Sequence, residues 1–167
     1  LIDRGPQQLR VLETVKAMVD AGSAQITMGN HEFNAICYGI PGTDGDYLRR
    51  HSDKNAHQHR AFLEQLTAEQ QQYYLHWFRT IPLWLDLGGL RVVHACWHES
   101  SMRVVEQELG SNVFSADAHF AAASTKGVAH RRSQDSRHRQ LARATPTVSR
   151  WRKMNSTSCS RQMSWPK

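Results

Sequence analysis

Three short apolar segments of this chain each run into polar residues that could do chemistry. These polar residues are Asp3 and Arg4 after Leu-Ile, Asn30, His31 and Glu32 after Ile-Thr-Met-Gly, and His94 after Val-Val. Strands of an open α/β sheet bury their own side chains, and ligands lie beyond the carboxyl ends of those strands. Carboxylate, guanidinium, amide and imidazole groups brought together there could bind metal ions or phosphate oxygens and transfer protons.

Each of these features also has a purely structural explanation. Gly-Asn is a common turn pair, and Asn30 could cap the following helix. Asp3 and Arg4 could form a local ion pair at a helix start, where Asp complements the helix dipole. His94, taken alone, is most often a hydrogen-bonded structural residue. Glu32 we interpret as structural, bonding backbone near the turn.

The residues at these positions resemble the motifs of the calcineurin-like metallophosphoesterases, which include Ser/Thr protein phosphatases and dinucleoside tetraphosphate hydrolases. That series runs Asp-x-His-Gly, Gly-Asp-x-x-Asp-Arg-Gly, Gly-Asn-His-Glu and two separate His motifs. This chain has Asp-Arg-Gly at residues 3–5, Gly-Asn-His-Glu at residues 29–32 and Val-Val-His at residues 92–94. The resemblance covers about residues 1–126. Within this family, the Asp-Arg-Gly-Pro and Val-Val-His-Ala-Cys-Trp runs of the chain most resemble bacterial enzymes similar to symmetrical diadenosine tetraphosphate hydrolases.

The resemblance implies an α/β fold, namely part of the metallophosphoesterase α/β/β/α sandwich, with a site for two divalent ions (Mn, Fe, Zn or Ni). By this resemblance Asn30 and His94 are ligands of one metal ion. His31 is then the general acid, and Asp3 orients it and favours its protonated form. Arg4 holds phosphate oxygens. The implied substrate is a phosphate ester, either a phosphoprotein or a dinucleoside polyphosphate.

Several motifs of the series have no counterpart in this chain. Asp-x-His and the Gly-Asp that bridges the metals would precede residue 1, and no Gly-His pair occurs in the last third; Ala-His at residues 118–119 and 129–130 is a poor substitute. Two neutral ligands without a bridging carboxylate should bind a divalent ion weakly. We therefore expect a truncated chain that lacks the first strand or strands of the sandwich and is inactive by itself.

The charge is divided unevenly along the 167 residues. Residues 128–167 hold ten Lys or Arg and one acid (Asp135), net +9, which leaves eleven basic and fourteen acidic residues in 1–127, net −3. We predict a partial phosphoesterase domain over residues 1–126 and a basic, disordered tail over residues 127–167. Translation in a shifted reading frame is one explanation of that tail. The alternative function is binding of nucleic acid or another polyanion by this tail, where Trp151 and Trp165 could stack on bases.

Cysteine usage and hydropathy indicate a cytoplasmic protein without a membrane partner. The three cysteines are odd in number and lack Cys-x-x-Cys spacing, which is typical of reduced thiols. No apolar run approaches the length that spans a bilayer.

Periodicity predicts alternating helices and strands. Helices are expected over residues 7–21, 32–39, 56–66 and 100–109, and a further helix is expected to begin after a cap at Thr67 with Gln70 completing a capping box. Strands are expected over residues 24–28, 83–87 and 90–93, the last two forming a hairpin at Gly-Gly. Residues 40–55 are expected to be a loop, and residues 111–126 are weakly patterned.

The remaining aromatic and histidine residues also have both a structural and a functional explanation. Tyr73, Tyr74, Trp77 and Phe78 recur at helical spacing, and we favour core packing over a stacking platform for bases. His57 and His59, in an Asn- and Gln-rich stretch, are predicted to be solvated. His98 could line the pocket, but we assign it no ligand role.

Overall fold

A computed structural model describes residues 1–43 and 45–124 of the chain. The predicted basic tail therefore lies outside the described residues. In the described part the chain is mixed α/β, with six helices and one two-stranded sheet. In chain order the elements are α1 (Gln8–Asp20), α2 (Asn30–Gly39), α3 (Asp53–Gln65), α4 (Ala68–Phe78), β1 (Trp84–Asp86), β2 (Arg91–Val93), α5 (Glu99–Leu109) and α6 (Asp117–Ser124).

Helix α2 is the centre of the described fold. Its buried residues are Glu32, Phe33, Ala35, Ile36 and Cys37, and the helix packs against α4 and α6. The Phe33 ring lies 5.5 Å from the Phe120 ring and 6.4 Å from the Phe114 ring, measured between centroids. A helix buried on most of its surface is held firmly, so the side chains of its first turn have well-defined positions.

The local signals for helix ends and for the hairpin are confirmed. Thr67 and Gln70 form the expected capping box at the start of α4. Gly110 ends α5 in the left-handed conformation, at φ 67°. The hairpin pairs Trp84 with Val93 and Asp86 with Arg91 in antiparallel register. These features depend on contacts within a few residues, which is why the sequence predicts them.

The predicted strand over residues 24–28 is not formed. Met28 is fully buried, and its amide donates to the Pro82 carbonyl at 2.8 Å. Pro82 in turn makes an isolated bridge with Val113. The three segments thus lie side by side, but a strand requires a repeated ladder of such bonds. The two-sheet sandwich accordingly remains a prediction.

Residues 111–126 and the aromatic stripe both contribute to the core. Residues 111–126, weakly patterned in the sequence, contain α6, whose Phe120 and Ala123 are buried. The core packing expected of the aromatic stripe is confirmed for Tyr74, Trp77 and Phe78, which are buried, and is wrong for Tyr73, which is more than half exposed. No helix in residues 1–43 and 45–124 combines the length and the apolar character needed to cross a membrane.

Candidate functional site at the amino end of α2

The start of α2 places Asn30 and His31 at the surface of the core. Gly29 is the N-cap residue, with φ −92° and ψ 171°. This conformation is open to any residue, so the glycine at position 29 is not required for its backbone freedom. Space is the reason instead: a Cβ at residue 29 would lie 2.6 Å from Glu32 Oε2 and 3.4 Å from the His94 ring.

Asn30 and His94 meet across the site. His94 follows β2, and its Nε2 donates to Asn30 Oδ1 at 2.9 Å. Asn30 is the first residue of α2 and not its cap, so the capping explanation of this side chain does not apply. The bond joins the amino end of α2 to the end of the hairpin, although the two residues are 64 positions apart.

Asp3 lies between two histidines. His31 Nδ1 donates to Asp3 Oδ2 and His59 Nδ1 donates to Asp3 Oδ1, each at 2.8 Å. The Asp3 side chain is only 5% exposed. The prediction that His59 is solvated is wrong, because His59 is 4% exposed and its ring stacks on Phe62 at 4.9 Å. His57, two residues earlier, is exposed as predicted.

The charge state of Asp3 follows from these contacts. Burial raises the pKa of the Asp3 carboxyl, but hydrogen bonds from His59 and His31, and the charge on these rings, outweigh burial and lower it below its usual range. Asp3 is therefore a carboxylate at neutral pH. An ionised carboxylate only accepts hydrogen bonds, so both rings present an N–H at Nδ1.

The backbone at Asp3 is held by a residue that the sequence did not reveal as important. Asp3 has φ 70°, a left-handed conformation that Asp tolerates better than most residues. Gln8 accepts from the Asp3 amide at 2.9 Å and donates to the Arg4 and Gly5 carbonyls. The side-chain oxygen of Gln65, in α3, accepts a hydrogen bond from the Gln8 backbone amide at 3.0 Å. Gln8 is almost fully buried, whereas its neighbour Gln7 is exposed. No periodic pattern in the sequence distinguishes the two residues.

The structure does not bring the Arg4 side chain to the other predicted site residues. Arg4 is exposed, and its guanidinium has no hydrogen bond or ion pair with the described residues. Glu32, by contrast, is 4% exposed, and its Oε1 accepts from the backbone nitrogens of Leu1 at 2.6 Å and Ile2 at 3.4 Å. Glu32 is thus structural and binds backbone groups, as expected. These groups belong to the first segment of the chain and not to the turn that precedes α2.

A pocket of about 270 Å³ opens where these residues meet. Its polar lining includes Asn30, His31 and His94, and Ile26 and Ile81 contribute apolar walls. This volume is large enough for a phosphate group and lies just below the clefts of roughly 300–1,000 Å³ that hold drug-sized ligands.

Other histidines have local roles. His98, expected as a possible pocket residue, is the N-cap of α5, and its Nδ1 accepts from the Ser101 amide at 3.3 Å. His51 stacks between Tyr38 and Tyr47, at 3.8 and 4.0 Å between ring centroids. Burial lowers the pKa of His119, whose ring lies 6.1 Å from the Phe114 ring.

The residues fit a divalent metal ion only in part. Two ligand atoms about 2.1 Å from one ion and at right angles lie about 3.0 Å apart, close to the 2.9 Å between Asn30 Oδ1 and His94 Nε2. Over residues 1–43 and 45–124, however, no three His, Cys, Asp or Glu side chains are grouped so that they could hold a metal ion. Among these residues Asn30 and His94 are therefore two neutral ligands that no third such side chain completes.

Comparison with known proteins gives one curated relative with significant similarity. It is "Bis(5'-nucleosyl)-tetraphosphatase, symmetrical" from Aromatoleum aromaticum, 29% identical over 122 residues, which cover 71% of this chain and 40% of that protein. This chain thus spans well under half the length of the relative. No family model and no solved structure matches the chain. The similarity supports a relationship of metallophosphoesterase type at the level of the family.

Proposed function

We propose that this chain carries part of the site of a metal-dependent phosphoesterase. The observation that carries the proposal is the convergence of two side-chain pairs at the amino end of α2. One pair, Asp3 and His31, is joined at 2.8 Å, and the other, Asn30 and His94, at 2.9 Å. The similarity to a symmetrical tetraphosphatase makes dinucleoside polyphosphates the favoured substrate class, with phosphoproteins as the other candidate.

In this proposal the Asp3–His31 pair supplies a proton. Asp3 holds His31 Nδ1, so His31 Nε2 is the atom that can face a ligand in the pocket. When water attacks phosphorus and the P–O bond to the leaving group breaks, the oxygen that departs needs a proton. The protonated His31 ring, with its Nδ1–H bound to Asp3, would give up the proton on Nε2, which is general acid catalysis by an imidazole held in one orientation.

Asn30 and His94 would hold a metal ion, together with ligands that the described residues do not provide. A divalent ion bound there would polarise a phosphoryl oxygen and lower the pKa of a bound water. With two neutral ligands, binding should be weak, and we expect no measurable phosphatase activity from this chain alone. Arg4 would need to turn toward the pocket to hold phosphate oxygens.

The test is to locate the binding site of a paramagnetic ion by NMR. In NMR spectra of the full chain, Mn²⁺ should broaden the Asn30 side-chain amide and the His94 ring before it broadens the exposed ring of His57. In His94→Ala the Asn30 side-chain amide should no longer broaden before the His57 ring. In His57→Ala the Asn30 amide and the His94 ring should still broaden at the same Mn²⁺ concentration as in the wild type. Equal broadening of His57 and His94 in the wild type would overturn the metal assignment. Hydrolysis of p-nitrophenyl phosphate with Mn²⁺ would support the class and contradict the expected inactivity.

We further propose the division into a phosphoesterase-type domain over residues 1–126 and a basic segment over residues 127–167. The +9 charge of residues 128–167 favours a second candidate function, namely binding of a polyanion. Retention of the full chain on heparin that falls steeply with salt, and that Mn²⁺ does not change, would support it. Retention that is independent of salt would exclude it.

A further inference from the structure

His59 is a buried imidazole that the proposed chemistry does not yet use. It comes from α3, 56 residues away from Asp3 in the chain, and it binds the Asp3 oxygen that His31 leaves free. Its ring is fixed by stacking on Phe62, with 4.9 Å between centroids and 21° between planes. The Tyr38 ring lies on another side, at 5.2 Å. His59 is therefore a rigid donor aimed at Asp3.

The second hydrogen bond changes what Asp3 can do for His31. A carboxylate bound through one oxygen can rotate about its Cβ–Cγ bond, because that terminal torsion is broad. Hydrogen bonds to both oxygens fix the carboxylate plane, and with it the direction from which His31 Nδ1 is held. Among the described residues, His59 is the side chain that occupies Asp3 Oδ1.

We propose that His59 is a positioning residue, which fixes the Asp3 carboxylate and thereby holds His31 as the Nδ1–H tautomer with Nε2 facing the pocket. This inference rests on the proposed function, because it assigns a purpose to the orientation of His31. It extends the acid pair to a His31–Asp3–His59 unit. His59 itself does not line the pocket and acts only through Asp3.

The test measures the tautomer of His31 by ¹⁵N NMR in the full chain. The spectra are recorded at a pH at which the ¹⁵N shifts of both rings themselves show the neutral form. In the wild type, both His31 and His59 should carry their proton on Nδ1. In His59→Phe, which keeps a ring on Phe62 but removes the donor, His31 should shift toward the Nε2–H tautomer that free imidazole side chains prefer.

Two further variants separate this effect from general disturbance. His59→Asn restores an N–H donor near the position of Nδ1 and should return His31 to the Nδ1–H tautomer. His57→Phe makes the same substitution at an exposed position of the same helix and should leave His31 unchanged. An unchanged His31 tautomer in a folded His59→Phe protein would overturn the proposal.

The inference is testable even if His59→Phe does not fold. The wild-type spectrum alone overturns it if His59 carries its proton on Nε2, because Nδ1 then cannot donate to Asp3. The measurement needs no metal ion and no substrate. If wild-type His94 shows no Mn²⁺ selectivity but the His31 tautomer still depends on His59, only the proposed function is rejected. If His94 shows the selectivity but the His31 tautomer does not depend on His59, only the positioning role of His59 is rejected.

Discussion

Substitution of Gly29 by Ala tests whether space at the amino end of α2 is as limited as the structure indicates. The new methyl group would lie 2.6 Å from Glu32 Oε2, which is closer than a Cβ can approach a carboxylate oxygen. Glu32 is buried and its other oxygen is bound to the backbone of Leu1 and Ile2, so the carboxylate cannot simply turn away. Overpacking of this kind costs about 1–3 kcal/mol.

Two smaller effects must be separated from the clash. The backbone at Gly29 is in the β region, so Ala causes no backbone strain there. Ala is, however, a poor N-cap residue compared with Gly, and this adds to the loss of stability independently of Glu32. A double-mutant cycle with Glu32→Ala removes the cap effect, because that effect is the same with either residue at position 32.

Urea unfolding of the full chain measures the effect, with Gly39→Ala as the matched control. Gly39 is also in α2, but a Cβ there meets nothing within 4 Å. Ala at that helical position should be neutral or stabilise by up to about 1 kcal/mol. We expect Gly29→Ala to lose about 2 kcal/mol and to couple to Glu32→Ala by at least about 1 kcal/mol. Coupling below about 0.5 kcal/mol would refute the steric argument.

Three further predictions concern single interactions. His59→Phe should lower the free energy of unfolding by about 2 kcal/mol, because it leaves a buried carboxylate oxygen without its donor, whereas His57→Phe should stay within about 0.5 kcal/mol. The folded-state pKa of Asp3 is lowered, so its contribution to stability is complete above about pH 4 and is lost as pH falls through the folded value. Urea unfolding from pH 6 downward should therefore show a free energy of unfolding that decreases with pH, and Asp3→Asn should reduce that decrease. Thr67→Ala removes the capping box with Gln70 and should cost about 1 kcal/mol in thermal unfolding; no loss would mean that the cap does not stabilise α4.

Part of the candidate site could be predicted from the sequence and part could not. Asp3, His31, Asn30 and His94 were identified by their motifs, and the structure places them in two hydrogen-bonded pairs. Their roles in binding and catalysis stay predictions. His59 was missed, because His57 and His59 are both histidines in the same polar stretch and nothing local shows which one is buried.

The sequence by itself determined the features that depend on neighbours in the chain. The helix periodicity, the capping box of α4, the left-handed end of α5 and the register of the hairpin all follow from contacts within a few residues. Only the tertiary structure decided that residues 24–28 form no strand and that Asp3 binds a histidine 56 positions away. A strand ladder and a buried hydrogen-bonded pair need partners from distant segments, and only the tertiary packing supplies or withholds those partners.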